Sequence, residues 1–151
     1  MMKERELFER KMKILVTTDG SDNSMRALAE AKVYGEAMNA EITILHVLER
    51  ETPRHYSVTG KEIAHLLEKQ VESGKKLLAD AKDFFTDYDQ NIHTLLKKGD
   101  PANQILEVIH STDFNLVIMG NRGLGAFSRT FLGSVSSKVL NHSETNILIV
   151  R

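Results

Sequence analysis

Cysteine is absent from the sequence. A disulfide framework, a zinc–thiolate site and a cysteine nucleophile are therefore excluded. No apolar run approaches the roughly 20 residues that a membrane-spanning helix needs, and no secretory pattern opens the chain. We therefore expect a soluble cytoplasmic protein with no membrane among its partners.

A long run of charge of one sign is also missing, because 20 basic and 21 acidic residues are interspersed and leave a formal net charge of -1. This balance argues against nucleic acid or an anionic membrane as the main partner. At 151 residues the chain is long enough for one domain with a substantial core. Residues 1–12 mix acidic and basic side chains, and we interpret them as an N-terminal extension of a domain at residues 13–151.

Apolar patterning divides the domain into alternating strands and helices. Apolar and β-branched runs predict five strands, at residues 13–18, 42–48, 92–96, 114–119 and 146–150. Helical spacing predicts four helices, one ending near residue 39, one over 63–85, one starting at 101 and one over 134–141. Asp100 is suited to cap the third helix and Pro101 to its first position. The alternation predicts a parallel sheet that is covered on both faces.

The most distinctive stretch follows the strand at 114–119. It contains Gly120, Gly123 and Gly125 in a loop, and it reaches a predicted helix at Gly133 and Ser134. A glycine-rich loop that leads to a helix N-terminus is a recurring phosphate cradle, because glycine permits close backbone approach and the helix amides attract anions. The alternative is that the glycines only punctuate a surface loop.

Two standard phosphate motifs do not fit this stretch. Ser128 stands where a dinucleotide fingerprint needs its third glycine, and no P-loop is present. What does fit is Gly120, two residues, Gly123, nine residues, then Gly133-Ser134. This spacing is the ATP-binding motif of the universal stress protein family, and the chain resembles the ATP-binding branch of that family from Lys13 to Arg151.

The resemblance implies a single open five-stranded parallel sheet with helices on both faces, Rossmann-like, in the strand order 3-2-1-4-5. In that order the first and fourth strands are neighbours, and the crevice at their carboxyl ends is where ligands bind in open α/β sheets. The ligand implied is ATP, accompanied by Mg²⁺. A bulky residue at Gly120 is expected to weaken binding while leaving the fold largely intact.

The resemblance and the chemistry of the residues together give one set of candidates for nucleotide binding. They are Thr17, Thr18, Asp19, Val47, Met119, Gly120, Arg122, Gly123, Gly133, Ser134, Val135 and Ser136. Each of the principal ones has a structural alternative. Asp19 binds ribose or braces a turn, and the backbone of Val47 reads adenine or its side chain is ordinary strand core. Ser134 and Ser136 bind phosphate, or Ser134 simply caps the helix.

No catalytic or metal site is expected. The six histidines show no metal-ligand spacing, no serine lies in a nucleophile elbow, and no general base accompanies the glycine loop. The favoured function is therefore an ATP-binding stress-response protein whose nucleotide sets conformation or partner choice. The alternatives are a dimeric interaction module that needs no nucleotide, and a slow ATPase or phosphotransferase.

The last predicted strand suggests self-association. Its apolar residues would lie at the edge of the sheet in the family's strand order, where unpaired amides and carbonyls favour pairing with another chain. The resemblance implies a homodimer through this strand. Many family members carry a proline just before it, whereas this chain reads Ser143-Glu144-Thr145-Asn146, which leaves the start of the strand open.

Overall fold

The computed structural model describes residues 10–49, 59–121 and 132–151. Strands and helices alternate along the chain as the sequence predicts. The strands are β1 (Lys13–Thr17), β2 (Glu41–Leu48), β3 (Ile92–Lys98), β4 (Leu116–Gly120) and β5 (Ile147–Val150). The helices are α1 (Asp22–Met38), α2 (Gly60–Asp83), α3 (Pro101–Ser111) and α4 (Ser134–His142). Across these described ranges, no helix is long and apolar enough to cross a bilayer.

The strands form one parallel sheet in the order β3-β2-β1-β4-β5. This confirms the predicted fold class, an open Rossmann-like α/β sheet. β1 and β4 are direct neighbours, with Val16 opposite Ile118. Because the strand order reverses between them, their carboxyl ends border the crevice in which such sheets bind ligands.

The core has two layers, one on each face of the sheet. Ile14 and Val16 point to the face that α1 and α2 cover, whereas Leu15 and Val117 point to the face that α3 and α4 cover. All four side chains are fully buried, as expected for parallel strands with helices on both sides.

Local signals in the sequence define the helix ends near the crevice. Ser21 caps α1 by accepting a hydrogen bond from the N–H of Ser24 at 3.2 Å. Asp100 caps α3 in the same way through the N–H of Asn103 at 2.9 Å, and Pro101 occupies the first turn. The prediction for Asp100 and Pro101 is confirmed. Both helices therefore begin at fixed positions beside the carboxyl ends of the strands.

β5 begins without a proline before it, the departure from the family pattern that the sequence suggested. The N–H of Ser143 donates to the carbonyl of Val139 at 3.0 Å and ends α4. The hydroxyl of Ser143 then accepts a hydrogen bond from the N–H of Thr145 at 3.1 Å, and Asn146 joins the sheet through the N–H of Val117. A serine-based turn thus takes the place of the proline.

A buried tyrosine, Tyr88, packs where α1 ends and β2 begins. The hydroxyl of Tyr88 donates to the carbonyl of Ala40, and the ring packs edge-on against Phe85. Burial, and then the nearby carboxylate of Glu36, raise the pKa of Tyr88. Gly35 leaves the room for this ring, because a Cβ there would meet Tyr88 and lie 2.8 Å from Ile42 Cδ1.

Candidate functional site

The candidate site lies at the carboxyl ends of β1, β2 and β4, next to the N-terminus of α4. Of the residues selected from the sequence, those that the structure describes all belong to these four elements or lie directly beside their ends. Arg122 and Gly123 lie outside the described residues, so their assignment to the site stays a prediction. The sections of the motif on either side of them are described.

Asn121 joins the two ends of the glycine motif. Its backbone oxygen accepts a hydrogen bond from the N–H of Gly133 at 2.6 Å and another from the hydroxyl of Ser136 at 3.0 Å. Its own N–H donates to the carbonyl of Val150 at 2.8 Å. The carboxyl end of β4 is therefore fixed both to the first turn of α4 and to the end of β5.

The first turn of α4 presents backbone donors toward the crevice. Gly133 is the N-cap in extended conformation, and it has no side chain with which to cap the helix. The first amide with an intrahelical acceptor is Ser137, which donates to the carbonyl of Gly133 at 2.9 Å. The N–H groups of Ser134, Val135 and Ser136 have no acceptor in the described part of the chain. Such amides at the positive end of a helix dipole favour an anion.

The hydroxyl of Ser136, which the sequence suggested as a phosphate ligand, is bonded within the fold instead. The side chain is buried, and the hydroxyl is committed to the carbonyl oxygens of Asn121 and Gly133, at 3.0 and 3.2 Å. The hydroxyl thus braces the loop, and the backbone N–H is the group that Ser136 can offer to a ligand. Ser134, by contrast, has an exposed side chain.

Thr18 is similarly occupied by structural contacts. Its hydroxyl lies 3.1 Å from the hydroxyl of Ser24, and both side chains are buried. Its N–H donates to the carbonyl of Leu45 at 2.9 Å, and its carbonyl lies 2.8 Å from Nδ1 of His46. Thr18 therefore holds the end of β1 against α1 and β2, which fixes the position of Asp19.

Asp19 braces the turn, as the structural alternative proposed. Its Oδ1 accepts a hydrogen bond from the N–H of Ser21 at 2.9 Å, and the side chain is half-buried. This bond fixes the carboxylate of Asp19 just beyond the carboxyl end of β1, beside the crevice. Thr17 precedes the turn and is also half-buried.

The backbone of Val47 points toward the side of β1, at a position beyond the last paired residue of β1. The bond from Thr18 to the carbonyl of Leu45 shows that the backbone of Leu45 points toward β1. Backbone direction alternates along a strand, so Val47 points the same way. The pairing of β1 with β2 extends only to Thr17 opposite Leu45. The sheet therefore provides no partner for the N–H and carbonyl of Val47, and a donor beside an acceptor suits the edge of adenine.

An apolar wall lies below these polar groups. Val47, Met119 and Val135 pack into the same cluster, together with Ala102 and Ile105 of α3. Met119 is buried, while Val47 and Val135 are half-buried and line the margin of the cluster. Three of the residues selected from the sequence thus share one surface.

Gly120 has a packing role that the sequence did not reveal. A Cβ at this position would lie 3.0 Å from Cβ of Asn23 and 3.1 Å from its backbone carbon. The end of β4 therefore packs closely on the first turn of α1, and Asn23 cannot move away without moving the helix. The expectation that a bulky residue at Gly120 leaves the fold largely intact stays a prediction, and this close contact with Asn23 argues against it.

Sequence reasoning missed Asn121 as the central residue of the site. The only signal was a polar residue directly after a buried strand, inside the glycine motif. It also gave no specific role to His46, whose ring nitrogen holds the carbonyl of Thr18. Both roles depend on contacts between elements far apart in the chain.

The fold and the site together define an open, parallel α/β protein with a glycine-bordered cradle of backbone amides. The sequence model of the Universal stress protein family matches residues 11–151, and the chain belongs to this family. It is 34% identical over 148 residues to the universal stress protein YxiE of Bacillus subtilis, with 92% of this chain and 98% of that protein covered.

Solved structures of related proteins have the same fold. Universal stress protein UspA from Lactobacillus plantarum superposes with a TM-score of 0.82 at 24% identity, covering 94% of this chain and 99% of that one. A universal stress protein solved in complex with cAMP superposes with a TM-score of 0.70 at 26% identity, covering 93% of this chain and 97% of that one.

Proposed function

We propose that this protein binds ATP at the carboxyl edge of the sheet and that the bound nucleotide sets its conformation or its choice of partner in a stress response. The observation that carries the proposal is the contact of Asn121 with Gly133 and Ser136. This contact holds the open amides of α4 beside the β1–β4 crevice, which supports a phosphate cradle over a simple surface loop.

Each part of the nucleotide has a matching group. The amides of Ser134, Val135 and Ser136 suit phosphate oxygens, and Arg122 adds positive charge from the loop by sequence alone. The backbone of Val47 suits adenine, and the carboxylate of Asp19 suits the ribose hydroxyls. A chain of phosphates uses this row of donors more fully than a single cyclic phosphate does, which favours ATP over the cAMP that one relative binds.

Magnesium fits this arrangement as a companion of the phosphates rather than as a resident ion. In the described ranges, no group of three or more histidine, aspartate or glutamate side chains could hold a metal. Mg²⁺ commonly keeps several waters and binds through substrate phosphates and one or two protein oxygens. Bound in this way, it would neutralise part of the phosphate charge.

The decisive experiment identifies the nucleotide that the purified protein retains, by mass spectrometry after denaturation. Calorimetric titration of nucleotide-free protein with ATP, AMP and cAMP then ranks the ligands. We expect ATP to be retained and to bind most tightly. Retention of cAMP with no measurable affinity for ATP would overturn the assignment to ATP, and no binding of any of the three would favour the nucleotide-independent interaction module.

We also propose a homodimer through β5, because this edge is apolar and carries unpaired backbone groups. The carbonyls of Asn146 and Val150 accept hydrogen bonds from Val117 of β4 and from Asn121 just after it. The backbones of the alternate residues Ile147 and Ile149 therefore point away from the sheet. β3, at the other edge, carries His93, Thr94, Lys97 and Lys98 in its sequence. Charge and polarity protect an edge from pairing, and β5 lacks this protection.

Catalysis is the less favoured function. The buried hydroxyls of Thr18, Ser24 and Ser136 are bonded within the fold. A row of amides binds phosphate without activating a water, so we propose at most slow hydrolysis.

The proposed location is the cytoplasm. A ligand from the cytoplasmic ATP pool is consistent with a chain that has no cysteine.

A further inference from the structure

The side chain of Asn121 presents an unsatisfied acceptor inside the site. The residue is 4% exposed, and its Oδ1 is buried with no hydrogen-bond partner. Buried polar atoms are almost always paired, because leaving one unpaired costs the free energy of its lost hydration. The backbone of the same residue is bonded through both its N–H and its carbonyl. The orphaned oxygen therefore belongs to a residue whose backbone is already bonded in both directions.

The direction of this side chain follows from its neighbours. Gly120 faces α1, since a Cβ there would meet Asn23. Asn121 follows the end of β4, and its N–H bonds to β5. Its side chain is buried, and its backbone oxygen contacts Gly133 and Ser136, so we infer that the side chain lies beside the first turn of α4.

Two kinds of group therefore meet at the first turn of α4. The amides of Ser134, Val135 and Ser136 are donors and attract an anion, whereas Oδ1 of Asn121 is an acceptor and repels one. A bare phosphate would satisfy the amides and oppose the oxygen. A phosphate that carries Mg²⁺ satisfies both, because its oxygens face the amides while the ion or its waters face Oδ1. Amide oxygens are among the ligands that hard cations accept.

We propose that Asn121 is the protein group that recognises the Mg²⁺ of Mg–ATP, so that this site selects the metal complex over free ATP. The proposal rests on the proposed function, binding of ATP. The competing arrangement turns the amide over, so that Nδ2 donates a hydrogen bond to a phosphate oxygen. The two arrangements predict opposite effects of a carboxylate at this position.

The test is calorimetric titration with ATP in the presence of Mg²⁺ and in the presence of EDTA, for the parent, Asn121→Asp and Asn121→Leu. We expect Mg²⁺ to strengthen ATP binding by the parent about tenfold, the scale of one hydrogen bond to a charged group. Asn121→Asp should increase this factor, since a carboxylate attracts the ion more strongly. Asn121→Leu should abolish it.

Equal Mg²⁺ factors in the parent and Asn121→Leu would overturn the proposal, as would loss of Mg–ATP binding in Asn121→Asp. If the parent binds ATP with no preference for the metal, the Asn121 proposal fails alone. If the parent binds ATP under neither condition, the proposed function fails with it.

Folding is checked by the thermal midpoint of each variant without nucleotide. Because Oδ1 has no partner, Asn121→Leu should leave the midpoint unchanged or raise it, while reducing the upward shift that Mg–ATP causes. The matched control is Asn115→Leu at the opposite end of the sheet, where Oδ1 accepts a hydrogen bond from the N–H of Lys13 at 2.8 Å. This control should lower the midpoint and keep the Mg²⁺ factor of the parent. A purely structural Asn121 would instead lower the midpoint and leave the Mg²⁺ factor intact.

Discussion

The N–H of Gly133 donates to the backbone oxygen of Asn121 at 2.6 Å, so the two ends of the glycine motif meet directly. Residues that are twelve positions apart in the sequence therefore lie side by side at one edge of the candidate site. It also places the N-terminus of α4 at the reversal point of the sheet, where the chemistry of the helix amides can be used.

Replacing Ser134 by proline tests the amide cradle. Proline is accepted at the first position of a helix and suits a preceding residue in extended conformation, which Gly133 already has. Ser134→Pro should therefore keep the fold and remove one donor, weakening ATP binding about tenfold. Ser134→Ala keeps the amide and loses the hydroxyl, and its affinity should stay within about threefold of the parent. Calorimetry on both variants decides; equal affinities for Ser134→Pro and the parent would exclude this amide from the site.

Replacing Ile149 by proline tests the proposed dimer. The backbone of Ile149 faces outward, so the substitution removes an edge donor without breaking the β4–β5 ladder. We expect Ile149→Pro to shift the protein toward monomer in sedimentation or light scattering. Ile149→Val keeps the donor and serves as the control. A parent that remains monomeric in concentrated solution would refute the dimer.

Gly120→Ala should destabilise the fold by about 1–3 kcal/mol, because the added Cβ overpacks against the backbone of Asn23. The matched control is Gly60→Ala at the start of α2, where a Cβ meets nothing within 4 Å and should raise stability by about 0.5–1 kcal/mol. Urea denaturation measures both changes. Equal stability of Gly120→Ala and the parent would contradict the close packing of β4 on α1.

Tyr88 should make the fold sensitive to alkali. Burial raises the pKa of Tyr88 above its ordinary value of 10.0. The contribution of Tyr88 to the free energy of unfolding is therefore fully present below pH 10.0, and it is lost as the pH rises through the raised pKa of the folded state. Tyr88→Phe should flatten this alkaline limb and cost about 1 kcal/mol at neutral pH, since the carbonyl of Ala40 loses its donor. Tyr34 is 39% exposed, and Tyr34→Phe provides the control. Denaturation midpoints between neutral and alkaline pH report both variants; an unchanged alkaline limb in Tyr88→Phe would assign the effect elsewhere.

ATP turnover should be far slower than that of kinases, which is roughly 1 per second or faster. The physical reason is that amides and arginines stabilise phosphate charge but do not remove a proton from water. Release of phosphate from saturating Mg–ATP measures the rate. Turnover at kinase rates would establish the protein as an enzyme.

The sequence predicted the fold well, because strands such as Ile14–Val16 are apolar without interruption and helices such as α3 carry their caps with them. It also located the glycine motif and the end of β1. It could not reveal that the hydroxyls of Thr18 and Ser136 are consumed inside the fold, because their partners Ser24 and Asn121 are set by packing. The sequence likewise suggested only ligand approach at Gly120, because the close contact with Asn23 involves a different element, α1.

The bond between the N–H of Asn121 and the carbonyl of Val150 has a consequence for the order in which the molecule is completed. Ribosomal synthesis proceeds from the N-terminus, so the glycine loop emerges before β5 does. β1, β2 and β4 can associate as soon as they are available, but the loop gains its anchor on β5 only afterwards. The contact between Asn121 and Val150 can therefore form only after β5 has been synthesised and has joined the sheet.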